Sequence, residues 1–221
     1  MSDSTAYGQG GHGDVIKAMT ALGIKPVTDE KYDVGYTEDQ MKPIISRIKA
    51  AGADVIIDWG LTPEAGNIRK AQGDLNFTIP MIGSWGLGLP AFDSLAGRTM
   101  ANGTLLGETF LQDTPPTSKG TDFVTRYKKD YNTDILVFPS GLAQSYDAMS
   151  MLLAAIKQPG ADSDRNKLRD ALENFSSYDG IIKTYTDPWK LTDTKKVHDA
   201  LTRADFVMGM WKDGKLVKAT Q

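Results

Sequence analysis

The chain has 221 residues, 40% hydrophobic and 24% charged, with a formal net charge of -3 and no cysteine. That length accommodates one large or two small domains around a packed core. The mild acidity argues against nucleic acid as a partner, and the lack of cysteine removes disulfides, thiol catalysis and thiolate metal sites together. No apolar run approaches the ~20 residues that cross a bilayer, and Met1 leads into polar residues rather than the basic segment and apolar stretch of a signal peptide.

The chain opens on Ser4-Thr5-Ala6-Tyr7-Gly8-Gln9-Gly10-Gly11-His12-Gly13. Gly8, Gly10 and Gly13 satisfy G-x-G-x-x-G, the spacing of a dinucleotide clamp. Such a clamp needs a buried hydrophobic strand just before the first glycine, and Met1 to Tyr7 contain no Val, Ile or Leu. The corner therefore reads as a ligand-facing turn into a helix, with Tyr7 as the contact. Val15, Ile16, Met19 and Leu22 share one face of that helix, and Gly23 stops it.

A strand-like segment over 24–29 follows, then a second helix. Thr37 and Gln40 form its capping box, and Met41, Ile44, Ile45 and Ile48 its buried stripe. The nearly continuous apolar run over 54–59 has the character of a parallel strand buried on both faces. Thr62, Pro63 and Glu64 supply an N-cap, a first-turn proline and a first-turn acid for a third helix, lined by Ile68, Ala71 and Leu75. Next come a strand over 79–83, a short helix over 91–95 and a strand over 103–110. This alternation predicts an α/β fold, a parallel sheet flanked by helices, with ligands bound beyond the carboxyl ends of the strands.

Pro115 and Pro116 among polar residues over 112–117 mark a crossover or linker. Beyond it the pattern predicts a helix over 121–131, a short apolar segment over 135–138 and a long helix over 141–157. Leu142, Tyr146, Met149, Leu153 and Ile156 share one face of the long helix. A helix over 165–175, strand signals over 181–186 and a terminal hairpin turning at Asp213-Gly214 complete the chain.

No catalytic constellation emerges. His12 and His198 lack partners at ligand spacing, Gly83-Ser84-Trp85-Gly86 is not a nucleophile elbow, and the acidic pairs fall at turns and caps. The chain is expected to be no enzyme, with no cofactor and no metal. What the predicted strand ends do share is aromatic and hydroxyl side chains: Thr5, Ala6 and Tyr7; Trp59, Gly60, Leu61 and Thr62; Ser84 and Trp85. Aromatic walls with a few fixed polar groups suit a small-molecule pocket.

Thr5-Ala6-Tyr7-Gly8-Gln9-Gly10, Ala50-Ala51-Gly52-Ala53-Asp54-Val55-Ile56, Gly60-Leu61-Thr62-Pro63-Glu64-Ala65, Ile82-Gly83-Ser84-Trp85-Gly86, Gln144-Ser145-Tyr146-Asp147-Ala148 and the Trp211 to Val217 hairpin occur in order along the chain. Together they resemble the periplasmic solute-binding proteins of branched-chain amino-acid ABC importers, with the type I periplasmic binding fold. The resemblance implies two α/β lobes that close on a ligand, and a chain that starts inside the second. Residues 1–112 correspond to the second-lobe ligand-binding domain, 113–178 to helices of an incomplete first lobe, and 179–221 to return strands and the C-terminal hairpin. It further implies ligand contacts from Thr5 to Tyr7, Trp59 to Thr62, Ser84 and Trp85, and from Gly141 and Leu142 on the first-lobe side. In the family an acidic residue for the ligand ammonium stands near Trp85, so an aromatic or apolar carboxylate or amide becomes as plausible here as leucine.

The implied partners are such a small ligand and an ABC permease, and the implied compartment is the periplasm; expressed as given, without a signal peptide, the chain would stay in the cytoplasm. A ligand-sensing regulatory domain on the same fold is the alternative. The apolar face of the long helix, left without a first-lobe sheet, is expected to favour a homo-oligomer.

Overall fold

The computed structural model describes residues 1–162, 164–193 and 195–220, which divide into two compact units, 1–108 with 208–221 and 109–207. The division expected at 112 falls at 108, and the stretch 179–207, expected to return to the first unit, packs in the second.

The first unit begins with strand β1 (Ser2–Asp3), helix α1 (Ala6–Ala21), strand β2 (Lys31–Tyr32), helix α2 (Glu38–Ala50), strand β3 (Ile56–Asp58), helix α3 (Thr62–Asp74), strand β4 (Met81–Gly83), helices α4 (Ala91–Ala96) and α5 (Arg98–Ala101), and strand β5 (Leu105–Glu108). β3 pairs parallel with β4, and β4 with β5. β1 pairs parallel with β2, and Ser2 also bridges to Trp59. The core follows the sequence pattern in α2, where Met41, Ile44, Ile45 and Ile48 are at most 4% exposed. Each such side chain contributes about 1.5–3 kcal/mol by leaving water. The α2 capping box forms as expected, Gln40 Oε1 accepting the Thr37 N–H at 2.9 Å.

Two local expectations fail. The segment 24–29 forms no strand; the regular pairing starts only at Lys31. The glycine-rich opening is not a turn, because α1 starts at Ala6 and the glycines lie inside it, with Thr5 Oγ1 capping the helix by accepting the Gly8 N–H at 3.1 Å. The apolar face of α1 is poorly covered: Gly8 and Gly11 are its buried residues, while Val15, Ile16 and Met19 are only half-buried and Leu22 is exposed.

The second unit holds helices α6 (Ser118–Asp130), α7 (Pro139–Ile156) and α8 (Arg165–Glu173) and the antiparallel strands β6 (Ser177–Asp179) and β7 (Thr184–Thr186). The short apolar segment over 135–138 is a turn into α7, contributing the buried Leu136. Ala143, Met151 and Ala155 of α7 join Phe110, Val124, Phe175, Ile181, Ile182 and Tyr185 in the core. The opposite face carries Tyr146, Met149, Leu153 and Ile156 into solvent. Buried Asp147 accepts the Ile181 N–H at 2.8 Å, the Ile182 N–H at 3.0 Å and the Tyr185 hydroxyl at 2.9 Å.

The chain returns to the first unit as the hairpin β8 (Val207–Lys212) and β9 (Lys215–Lys218), in the sheet order β3-β4-β5-β8-β9. Asp213 and Gly214 turn it with φ of 51° and 78°, as the Asp-Gly pair predicts. Trp211 anchors it, stacking on Phe92 and donating its indole N–H to Leu87 O at 2.9 Å.

Candidate functional site

Three segments meet at the carboxyl ends of β1, β3 and β4. Each strand delivers its chain directly into a helical turn: β1 into α1, β3 into α3, and β4 into the turn Trp85–Leu87. The N-termini of α1 and α3 therefore open on the same side as the residues that precede them, presenting partial positive charge there. Thr62, expected as the cap of α3, is instead its first residue; Leu61 caps by position, without a side-chain hydrogen bond.

Tyr7 binds the first segment to the third. Its hydroxyl donates to Ser84 Oγ at 2.7 Å, and its ring lies 6.3 Å from that of Trp59 at a tilt of 46°. Burial pushes the Tyr7 phenol above its ordinary pKa, against the opposing pull of hydrogen bonds with Ser84, the Gly86 backbone and the Trp85 side chain. Tyr7 is thus a neutral hydroxyl at physiological pH. The second and third segments are joined by Thr62, whose hydroxyl donates to Gly86 O at 2.5 Å, and by Ser84, whose hydroxyl donates to Gly60 O at 3.5 Å while accepting the Gly86 N–H of its own turn at 3.3 Å. A side chain at Gly86 would meet Gly60 O at 2.6 Å, so this crossing needs a glycine.

Of the residues expected to contact a ligand, the structure brings together Thr5, Ala6, Tyr7, Trp59, Gly60, Leu61, Thr62, Ser84 and Trp85 in the first unit. Their exposures differ. Gly60, Thr62 and Ser84 are buried, Thr5, Tyr7, Trp59 and Trp85 half-buried, and Ala6 and Leu61 exposed. Gly141 and Leu142 lie in the second unit, half-buried in the first turn of α7.

Beneath the aromatic wall lies a group that sequence reasoning missed. Asp58 is fully buried and accepts the Tyr32 hydroxyl at 2.9 Å; Asp3 and Glu64 are also buried. Glu64 Oε1 accepts the Gly35 N–H at 2.6 Å, and Asp3 Oδ1 accepts from both the amide and the hydroxyl of Thr5. Asp3 Oδ2 and Asp58 Oδ2 have no hydrogen-bond partner among the described residues. Desolvation drives the Asp58 carboxyl up to about 7, with Asp3 and Glu64 adding repulsion and the Met1 ammonium and Tyr32 opposing it. The signal available in the sequence was Asp58 itself, a charge at the end of an apolar run. These acids support the corner from behind, since they are sealed from solvent.

No group of His, Cys, Asp or Glu suited to a metal ion occurs among the described residues. The two histidines make exposed pairs, His12 with Asp29 at 2.9 Å and His198 with Glu173 at 3.2 Å. The corner offers aromatic faces, hydroxyls and helix N-terminal amides, groups that suit a small-molecule pocket.

Comparison with known proteins places the chain in a family. The family described as periplasmic binding protein matches residues 1–211. A Leu/Ile/Val-binding protein homolog of Brucella suis is 30% identical over 181 residues, 81% of this chain and 46% of that protein. A second homolog, from Brucella melitensis, is 26% identical over 216 residues, 97% of this chain and 54% of its own length. The chain spans about half the length of the curated relatives it matches. Among solved structures, a leucine-binding protein from Thermotoga maritima superposes with a TM-score of 0.81 at 21% identity, covering 98% of this chain and 57% of that one. A solute-binding protein of Rhodopseudomonas palustris in complex with benzoate gives 0.77 at 21% identity, covering 98% and 55%. The chain belongs to the periplasmic binding protein family and has the type I fold of its structural neighbours.

Proposed function

We infer that this chain contributes one wall of a non-enzymatic, periplasmic solute receptor that serves an ABC importer of amino acids or related small carboxylates and amides. The observation that carries the reading is the corner of Tyr7, Trp59, Ser84 and Trp85, where apolar ring faces stand beside fixed hydroxyls and the N-termini of α1 and α3. The rings would hold an apolar side group and the helix termini a carboxylate or amide oxygen.

Trp85, half-buried beside Tyr7, stands where an ammonium-binding carboxylate is expected, and the acids nearby are buried beneath the corner. That favours ligands whose affinity does not depend on an α-ammonium. Support for both apolar amino acids and aromatic acids comes from structural neighbours, one a complex with isoleucine and another a complex with benzoate. Calorimetric titration of the chain with isoleucine, benzoate and benzamide tests the reading. Binding of at least one, weakened by Trp59→Ala, is expected; no heat from any of them, or binding indifferent to Trp59→Ala, overturns it.

A further inference from the structure

The acids beneath the corner touch its backbone. A Cβ at Gly60 would lie 3.2 Å from Asp58 Oδ2 and overlap the Tyr32 hydroxyl, and one at Gly8 would overlap the Asp3 carboxyl. Two of the segments that meet at the corner therefore rest on carboxyl groups with no side chain between. The Thr5 amide, at the start of α1, is turned to Asp3 Oδ1 at 2.8 Å instead of outward.

The cluster is poor in positive charge and in donors. Asp3, Tyr32, Asp58 and Glu64 are at most 3% exposed. Asp58 is faced by the Met1 ammonium and Asp3 from β1, the Tyr32 hydroxyl from β2 and Glu64 from α3. Tyr32 donates to Asp58 Oδ1, whereas Oδ2, the oxygen next to Gly60, has no hydrogen-bond partner among the described residues. Ionised, Asp58 is a buried charge with one oxygen uncompensated; protonated, it is neutral.

A carboxylate seated at the corner brings another negative charge close to this carboxyl, across the Gly60 backbone. Like charges repel strongly through a water-excluded interior, and salt screens them little. The helix N-termini attract such a ligand while the acids behind them oppose it, and the proton on Asp58 decides the balance. An amide oxygen carries no net charge, so the same helix termini hold it in either state.

We propose that Asp58 determines the charge specificity of the corner, a carboxylate ligand binding together with a proton on Asp58 and a neutral amide binding with or without it. The proposal rests on the reading of the corner as a ligand site. Asp58 does not touch the ligand and acts through the field behind Gly60. Anion and proton strengthen one another's binding to the same degree. Carboxylate affinity is full while Asp58 is protonated and declines as pH rises through about 7.

Calorimetric titration of the chain with benzoate and with benzamide, from about pH 6 to about pH 9, tests the proposal. Benzoate affinity is expected to fall at least about fivefold across this range while benzamide affinity stays level. Near pH 7.5 the benzoate heat should vary with the ionisation enthalpy of the buffer in the sense of proton uptake, and the benzamide heat should not. Asp58→Asn is expected to remove the benzoate slope, and His12→Gln, at the histidine paired with Asp29, to retain it. A level benzoate affinity, equal slopes for the two ligands, or a slope that survives Asp58→Asn overturns the proposal. If that variant fails to fold, the two-buffer comparison on the unaltered chain decides, and buffer-independent benzoate heat overturns it. Absence of binding by both ligands at every pH overturns the corner as a ligand site and this proposal with it, an outcome distinct from pH-independent binding of benzoate, which overturns the proposal alone.

Discussion

The indole of Trp59 packs so closely on Gly11 that a Cβ at that position would overlap the ring. Helix α1 rests on the aromatic wall through the absence of a side chain, and Trp59 is held at its angle to Tyr7 by that contact. Gly11→Val is expected to cost about 1–3 kcal/mol, the range for overpacking a close contact. Gly10→Ala and Gly13→Ala meet nothing within 4 Å and lie inside the helix. Each should stabilise by up to about 1 kcal/mol through helix propensity. Urea unfolding of the three variants checks the opposite signs.

Tyr7→Phe keeps the ring and removes the donation to Ser84 Oγ. Net loss of one such hydrogen bond is about 0.5–1.5 kcal/mol in stability. Trp59→Ala removes a ring face and should weaken binding of an aromatic acid at least tenfold, more than Tyr7→Phe does. Calorimetric titration with benzoate ranks the two; the reverse ranking would place the ligand against the hydroxyls rather than the rings.

Asp58 makes the stability depend on pH in the direction opposite to an ordinary paired carboxylate. Its folded pKa of about 7 lies above the unfolded value of 3.8, so the folded chain holds this proton more tightly. The stabilisation is fully present below the unfolded value and is lost as pH rises through about 7, by at most about 1.4 kcal/mol per pH unit. The charges facing this carboxyl are the Met1 ammonium and the Asp3 and Glu64 carboxylates, with the Tyr32 phenol as donor. Asp58→Asn should flatten the profile between pH 4 and 7 in chemical denaturation; an unchanged slope would mean that the carboxyl ionises freely in the folded chain.

Asp147 is the polar centre of the second unit, buried and satisfied by two amides and the Tyr185 hydroxyl. Burial and the Asp147 charge raise the Tyr185 phenol above its ordinary pKa, so it remains a donor. Asp147→Ala leaves two buried N–H groups without their acceptor and should cost about 3 kcal/mol or more. Tyr185→Phe, which removes one donor, should cost about 1 kcal/mol. Equal losses in urea titrations would contradict this ordering.

The exposed stripe Tyr146, Met149, Leu153 and Ile156 on α7 is expected to pair with the same stripe of a second copy. Light scattering across a concentration series should show association that Leu153→Glu abolishes. A monomer at every concentration would leave the stripe without this role.

Most of the element order was legible because helices with one strongly apolar face and a cap announce themselves, as α2 does through Thr37, Gln40 and its Met41 to Ile48 stripe. The residue types that meet at the corner were legible at the predicted strand ends. Its mechanics were not: of the motif's Gly8, Gly10 and Gly13 only Gly8 is close-packed, and the other close-packed glycine, Gly11, stands outside the motif spacing. The segment 24–29 carries strand-like residues but no pairing partner, and pairing rather than propensity decides a strand. Similarly, the buried acids depend on contacts between Asp58, Tyr32 and Asp3 that no local pattern encodes. The domain boundary shifted because Ile181, Ile182 and Tyr185 are held by Asp147, more than thirty residues earlier in the chain.

The hairpin of β8 and β9 makes the first unit discontinuous in sequence. Gly103 and Thr104, just before β5, exchange hydrogen bonds with Trp211 in β8, the Gly103 N–H donating to Trp211 O at 2.9 Å and the Trp211 N–H donating to Thr104 O at 3.0 Å. Residues 109–207 are topologically an insertion between neighbouring strands of one sheet. The sheet thus cannot be completed until the whole insertion has been synthesised, and the hairpin of β8 and β9 closes it. Closing so long an excursion costs only logarithmically more entropy than closing a short one. Synthesis order, more than loop length, then sets when the first unit can finish folding.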